Sequence, residues 1–274
     1  MHKKLQIGIV GCGAIGSSLA KVICSKFNKD ASLAALFDTN RNKVSTLIEK
    51  LRLDKNIMSK NLSGLIKKSN LVIECASASC SFQIARDALL KRKSIMIMSV
   101  GGILQDIKKL SALARKNGAK IYIPSGAVSG IDGLKAANVF GIDEITLTTR
   151  KHPDSFGGVK YIADKKIRLD NLKKDKVIFS GSAFEAVKYF PQNINVAAVI
   201  SLAGIGGAKT RIKIIASPKS RKNIHEIEIK SKAAHIKSQT ENVLHPDNPK
   251  TSFLAVLSAV ATLKQILEPI RVGT

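Results

Sequence analysis

Apolar positions in the first half of the chain form short runs that alternate with stretches of helical spacing. Residues 5–10 form a mostly apolar run that ends at Gly11, as expected for a buried parallel strand, and apolar side chains then recur every three or four residues up to Phe27. Further strands are predicted at 33–38, 71–77, 94–99 and 120–125, and further helices at 44–51, 82–92 and 103–117. Because strands and helices alternate, we predict an α/β domain with a doubly wound parallel sheet over residues 1–125.

Beyond residue 125 the pattern changes to a period of two, which is typical of strands with one exposed face. Such segments lie at 145–151, 176–182, 211–217, 224–230 and 235–241, and helical patterns lie at 130–139, 183–189 and 194–203. We therefore predict an α+β domain with a mostly antiparallel sheet over residues 126–250. Residues 251–274 carry the broad apolar stripe of a helix, which we expect to pack back on the first domain.

The chain is strongly basic, with 45 Lys and Arg against 20 Asp and Glu and a net charge of +25. Such an excess can bind nucleic-acid phosphates, or it can draw anionic ligands toward an enzyme. The basic residues are spread along the chain, and no basic block is interleaved with the aromatic side chains on which single-stranded nucleic acids stack. We therefore expect no nucleic-acid partner.

Cysteine usage and hydropathy indicate a cytoplasmic protein without a metal site. The four cysteines form no CxxC pair, so neither a zinc site nor a disulfide framework is expected. The most apolar later stretch, 194–208, is too short and too rich in glycine to span a bilayer.

A GxGxxG motif follows the first predicted strand directly and opens the first predicted helix. In this context Gly11 permits a tight turn, Gly13 lets the backbone approach a pyrophosphate, and Gly16 allows helix and strand to pack closely. The helix N-terminus adds N–H groups and the positive end of its dipole. The motif predicts a Rossmann-type domain that binds a dinucleotide through Gly11, Gly13, Ala14, Ile15 and Gly16, although a tight turn without a ligand is the alternative.

Asp38 ends the second predicted strand, 22 residues after the last glycine of the motif. An acid at this position binds the ribose hydroxyls of adenosine, which favours NAD over NADP. Asp38 could also be a turn or helix-cap residue, and Arg41 could receive a 2′-phosphate, so use of NADP stays open. The turns after the third and fourth main strands, with Ala76 and Ser77 in one and 99–102 in the other, are expected to line the nicotinamide end of the site.

Five histidines are candidates for acid–base chemistry, since imidazole ordinarily titrates near neutral pH. His225 and His235 lie on predicted strands, and either could be catalytic or structural. His2 lies at the chain terminus, and His152 and His245 precede prolines in predicted loops.

Six segments together resemble the L-aspartate dehydrogenases. They are IGIVGCGAIG (7–16), MSVGGI (98–103), PSGAVSGIDGL (124–134), NINVAA through LAGIG (193–206), NIHEIEI (223–229) and TENVLHPDNPKTSFLAVLSAVATL (240–263). The first is common to many dinucleotide-binding enzymes, whereas the last three are far more specific. The resemblance covers nearly the whole chain, and it does not account for the basic excess.

The resemblance implies oxidation of L-aspartate with NAD or NADP to iminoaspartate, which hydrolyses to oxaloacetate and ammonia or feeds NAD synthesis. It also implies that His225 is the catalytic residue and that Asn195 and Ala127 contact the cofactor. The loop at 125–134 fits the family pattern in more than one register, which makes Ser129 the alternative to Ala127.

We expect His225 to act as a general base, on the substrate ammonium or on the water that attacks the imine. The substrate carboxylates need polar partners, for which Asn195, Thr240, Asn242 and Lys250 are candidates, although each also suits a cap or turn. The exposed sheet edges of the second domain favour a homodimer or a larger homo-oligomer.

Two other functions fit part of the sequence. A reductase of the dihydrodipicolinate reductase or homoserine dehydrogenase type has the same domain plan, but it fits the C-terminal segments less well. A non-catalytic NAD-binding regulator of DNA would show an affinity for DNA that falls steeply with salt.

Overall fold

The computed structural model describes residues 3–190, 195–246 and 248–273, without the side chains at 249–250. Two compact units divide the chain. The first comprises Met1–Pro124 with Val256–Arg271, and the second comprises Ser125–Ala255 with Val272–Thr274.

The first unit holds a parallel sheet of five strands in the order β2-β1-β3-β4-β5. The strands are β1 (Leu5–Val10), β2 (Ala31–Phe37), β3 (Leu71–Glu74), β4 (Ser94–Ile97) and β5 (Ile121–Tyr122), and the helices are α1 (Ala14–Ser25), α2 (Arg41–Leu51), α3 (Leu62–Lys68), α4 (Ala78–Leu90) and α5 (Ile107–Lys116). The strand order reverses between β1 and β3, where open parallel sheets bind ligands beyond their carboxyl ends. The doubly wound parallel sheet predicted from the sequence is confirmed.

The second unit holds a sheet in the order β10-β9-β6-β8-β7, in which β6 and β8 are parallel and the other pairs are antiparallel. Its strands are β6 (Ile142–Lys151), β7 (Lys176–Ser182), β8 (Arg211–Ala216), β9 (Asn223–Ser231) and β10 (His235–Asn242), with β11 (Leu244–His245) and β12 (Asn248–Ser252) in a separate pair, and its helices are α6 (Ile131–Phe140), α7 (Lys160–Asp164), α8 (Ala183–Tyr189) and α9 (Asn195–Ala203). The mostly antiparallel sheet of the prediction is confirmed.

The last helix, α10 (Phe253–Leu267), supplies apolar side chains to the core of the first unit. Its Ala259 and Leu263 are fully buried in one cluster with Ile7 and Ile9 of β1 and Leu19 of α1. A fully buried aliphatic side chain contributes about 1.5–3 kcal/mol, so the apolar stripe of α10 stabilises a sheet formed some 250 residues earlier in the chain.

One face of the second sheet is buried and the other is charged. Ile145 and Leu147 of β6 lie beside Ile229 and Ile227 of β9 on the buried face. Helix α9, in which every residue from Val196 to Ser201 is buried, lies against this face. The period-two pattern of the sequence reflects this two-sided environment.

None of the described helices combines the length and the apolar character needed to cross a membrane.

Candidate active site

The glycine turn after β1 has the geometry that a pyrophosphate site requires. Gly11 has a φ of +94°, and a side chain there would approach the carbonyl oxygen of Cys75 to 2.5 Å, so only glycine fits. A methyl group on Gly16 would clash with the backbone oxygen of Gly11, whereas one on Gly13 would meet no atom within 4 Å. The space beside Gly13 is therefore open to a ligand.

Helix α1 begins directly after this turn, at Ala14 and Ile15, and no side chain caps its N-terminus. Its first N–H groups and its dipole thus suit an anionic group, as the GxGxxG motif predicts. These residues fit a dinucleotide, and their contact with it stays a prediction.

Asp38 holds the glycine turn in place. One carboxylate oxygen accepts a hydrogen bond from the Cys12 backbone nitrogen at 2.8 Å, and the other accepts one from the Asn40 nitrogen at 2.8 Å. Asn40, and not Asp38, caps α2. The guanidinium of the neighbouring Arg41 lies 3.8 Å from the Met58 sulfur.

A buried carboxyl group joins the turns after β3 and β4. Glu74 accepts hydrogen bonds from the Ala76 nitrogen at 2.8 Å and from both the nitrogen and the hydroxyl of Ser99 at 2.9 Å. Burial raises the pKa of Glu74, and these hydrogen bonds act in the opposite direction. The predicted cofactor residues Ala76 and Ser77 are exposed in the turn that Glu74 anchors. Sequence reasoning missed Glu74, although an acid that ends an apolar strand was a usable signal.

His225 lies on the buried face of the second sheet and is 5% exposed. Its Nδ1 lies 3.0 Å from the hydroxyl of Thr149 on β6. Burial, and then the positive charge of Lys151, lower the pKa of His225 to about 3. The imidazole is therefore neutral at physiological pH, and the expectation that it titrates near neutrality is wrong for this environment.

Two threonines flank His225 across the sheet. Thr149 is its register partner on β6, and Thr240 is its partner on β10. The Thr240 hydroxyl lies 3.0 Å from the hydroxyl of Ser129, whose backbone nitrogen also donates to it at 3.1 Å. The structure thus brings together the sequence candidates Thr240, Ser129 and His225.

Asn242 is buried and uses its amide group within the protein. It donates to the carbonyl oxygen of Ala127 at 3.0 Å and accepts a hydrogen bond from the hydroxyl of Ser252. Asn242 therefore positions the Ala127 loop. Asn195 is exposed at the start of α9, and the predicted Lys250 side chain lies outside the described residues.

The other described histidines lie in different settings. His235 contacts Glu228 at 2.8 Å and His152 contacts Asp154 at 3.1 Å, both at the surface. The buried His245 packs edge-to-face on Phe253. No cluster of potential metal-binding side chains is present in the described part of the chain.

Comparison with known proteins identifies the family. Residues 132–266 match the family model described as aspartate dehydrogenase, C-terminal, and residues 11–124 match that of the homoserine dehydrogenase NAD-binding domain. The L-aspartate dehydrogenase of Methanococcoides burtonii is 44% identical over 274 residues, which cover 98% of this chain and all of that protein. The chain belongs to the L-aspartate dehydrogenase family.

Other relatives agree with this assignment. The L-aspartate dehydrogenase of Methanosarcina mazei is 44% identical over 272 residues, with 98% of this chain and all of that protein covered. The crystal structure of aspartate dehydrogenase from Thermotoga maritima has a TM-score of 0.74 at 26% identity and covers 99% of this chain and 100% of that one. A homoserine dehydrogenase from Thiobacillus denitrificans, at 12% identity, shares the fold, with a TM-score of 0.62 and coverage of 97% of this chain and 74% of that one.

The family assignment decides between the enzyme classes that the sequence left open. The dinucleotide-binding half matches a domain type shared with homoserine dehydrogenase, whereas the second half matches aspartate dehydrogenase. The resemblance noted from the sequence is confirmed, and the chain is a nicotinamide-dependent oxidoreductase of this family.

Proposed function

We propose that this chain oxidises L-aspartate at Cα to iminoaspartate, which water converts to oxaloacetate and ammonia. The observation that carries the proposal is the buried imidazole of His225, which contacts the Thr149 hydroxyl within the half that matches the aspartate dehydrogenase model. The family membership supports aspartate as the substrate.

The reaction removes one proton from the substrate ammonium and one hydride from Cα, and the C–N bond becomes a C=N bond. When bound, the nicotinamide supplies the hydride acceptor. The residues of this chain must therefore orient Cα, bind two carboxylates and accept the proton from nitrogen.

We assign the proton transfer to His225. The contact between Nδ1 and the Thr149 hydroxyl fixes the ring, and with the proton on Nδ1 the Nε2 lone pair remains available as a base. The positive charge of Lys151 helps to keep the ring neutral before substrate arrives. The carboxylates of bound aspartate offset that charge and favour the protonated ring, so the pKa of His225 rises when it must accept a proton.

We further propose that NAD is preferred over NADP. The carboxylate of Asp38 is held by the Cys12 and Asn40 nitrogens at the end of β2, where it suits ribose hydroxyls and repels a 2′-phosphate. The predicted cofactor contacts of Gly11, Gly13, Ala127 and Asn195 belong to the same proposal.

The cellular setting also remains a proposal. We propose that the enzyme is cytoplasmic and forms a homodimer. We also propose that the iminoaspartate it produces is used in NAD synthesis. The open sheet edges at β7 and β10 support self-association. Light scattering coupled to size-exclusion chromatography measures the assembly, and a monomeric mass at assay concentration would remove that part of the proposal.

The test is an absorbance assay for reduced nicotinamide with L-aspartate and either cofactor, with L-malate, L-glutamate and homoserine as controls. We expect turnover with L-aspartate, faster with NAD than with NADP. Binding of NADH without turnover on L-aspartate would instead favour the regulator hypothesis.

A further inference from the structure

Lys151 lies on the same buried sheet face as the candidate base. It ends β6 two positions after Thr149, and alternate residues of a strand point to the same side of a sheet. Thr149 in turn contacts His225. The lysine charge is close enough to act on the imidazole, whose pKa it lowers. The Lys151 side chain thus stands next to the proposed site of proton transfer.

The burial of Lys151 is exceptional in this chain. The sequence contains 45 lysines and arginines. Among those that the structure describes, Lys151 is the one that is buried, with 9% of its surface exposed. Burial lowers its pKa to about 8, so it remains largely charged at neutral pH. Burying an ammonium group opposes folding, and buried charged groups cluster at functional sites.

A small enclosed cavity lies beside Lys151 in the described part of the second unit. It is lined by Thr149 of β6 and by the apolar side chains Leu147, Phe156, Ala197, Ile212 and Ile214. A buried cation attracts an anion more strongly than an exposed lysine does, because water screens its charge less.

The geometry points to Lys151 as a substrate-binding residue that holds one carboxylate of a dicarboxylate beside His225. This inference rests on the proposed function and adds the group that selects a dianion over a neutral amino acid. A carboxylate bound to Lys151 would at the same time offset the charge that keeps the imidazole neutral. Substrate binding and activation of the base are therefore coupled through one side chain.

Two substitutions separate charge from shape. Lys151→Met keeps the length of the side chain and removes its charge, whereas Lys151→Arg keeps the charge. Lys213→Met serves as the matched control, because Lys213 lies on β8 of the same sheet but is exposed. The readouts are kcat and KM for L-aspartate, inhibition by succinate, inhibition by butyrate, and NADH affinity from fluorescence.

We expect Lys151→Met to raise KM for L-aspartate and the inhibition constant of succinate by about 10- to 100-fold, as for loss of a charge-assisted hydrogen bond. Butyrate has one carboxylate fewer, so the preference of the enzyme for succinate over butyrate should fall. NADH affinity should stay unchanged. Lys151→Arg should recover part of the succinate affinity, and Lys213→Met should resemble the wild type.

The pH dependence of succinate inhibition gives a second test, since succinate has no ammonium group to titrate. With the pKa of Lys151 lowered to about 8, the inhibition should be constant from about pH 6.5, where both succinate carboxylates are ionised, up to that pKa, and it should weaken about tenfold per pH unit above it. The titratable side chain facing Lys151 from β9 is His225, whose pKa of about 3 lies outside this range, and the described residues around the cavity on β8 and α9 are apolar. The profile of Lys151→Arg should be flat.

The outcomes distinguish this inference from the proposed function. Wild-type protein that does not oxidise L-aspartate removes the proposed function. Wild-type turnover together with an unchanged KM and succinate inhibition in Lys151→Met overturns the role of Lys151 alone. If Lys151→Met fails to fold by circular dichroism, the wild-type succinate profile decides, and constant inhibition up to pH 10 counts against the inference.

Discussion

Replacing Thr149 by valine tests how the candidate base is held. Valine has nearly the same shape as threonine, so Thr149→Val removes the hydroxyl that lies 3.0 Å from His225 Nδ1 and changes little else. Both side chains are buried, at about one-twentieth of their surface exposed, so water cannot easily replace the lost partner.

The size of the effect follows from that burial. A buried polar group without a partner costs about 1–3 kcal/mol. If the activation free energy rises by the same amount because the base is no longer held in position, kcat falls by about 5- to 150-fold. Because the hydroxyl positions the ring and does not bind substrate, KM for L-aspartate should change much less than kcat.

Steady-state kinetics of Thr149→Val, Thr149→Ser and Thr148→Val provide the measurement. Serine keeps the hydroxyl, so Thr149→Ser should recover most of kcat. Thr148 lies on the opposite face of β6 and is half-buried, so Thr148→Val controls for a change on the same strand. Wild-type kcat in Thr149→Val, or an equal loss in Thr148→Val, would show that the Thr149 hydroxyl does not hold the His225 ring for catalysis.

Three further substitutions test the cofactor preference and the polar contacts that hold the loops of the site. Asp38→Ser should raise kcat/KM for NADP relative to NAD by about 10- to 100-fold, since a like charge next to a 2′-phosphate is removed; an unchanged cofactor ratio would contradict the role of Asp38. Glu74→Ala leaves the Ala76 and Ser99 donors without their acceptor, so it should lower the free energy of unfolding by at least about 3 kcal/mol, which urea titration measures. Asn242→Leu loses its hydrogen bond to the Ala127 carbonyl oxygen and should lower the free energy of unfolding by about 1–3 kcal/mol in the same titration; an unaltered midpoint would show that this amide does not hold the loop.

The first unit could be predicted well because its signals are local. The GxGxxG spacing by itself predicts both features of the turn, the positive φ of Gly11 and the open space beside Gly13. The short helix α3 was not predicted from the sequence. It has only seven residues, and its two buried residues, Leu65 and Ile66, are too few to show a helical periodicity. Strand β5 is shorter than predicted because only Ile121–Tyr122 pair with β4.

The electrostatics of the candidate site could not be read from the sequence. Lys151 and Thr149 reach His225 through a strand pairing that joins residues about 75 positions apart. The period-two pattern places His225 on the same strand face as Ile227 and Ile229, but it does not show which charge lies beside the ring. The pKa of the imidazole depends on that non-local neighbour, and so the expectation of titration near neutrality was wrong.

The proposed mechanism requires the imidazole of His225 to accept the proton during oxidation of L-aspartate. The most direct test compares wild type and His225→Ala for reduction of NAD by L-aspartate, with NADH affinity measured in parallel. We expect His225→Ala to lower kcat by about 10²–10⁴-fold while NADH affinity is preserved. Turnover of His225→Ala at the wild-type rate would contradict it.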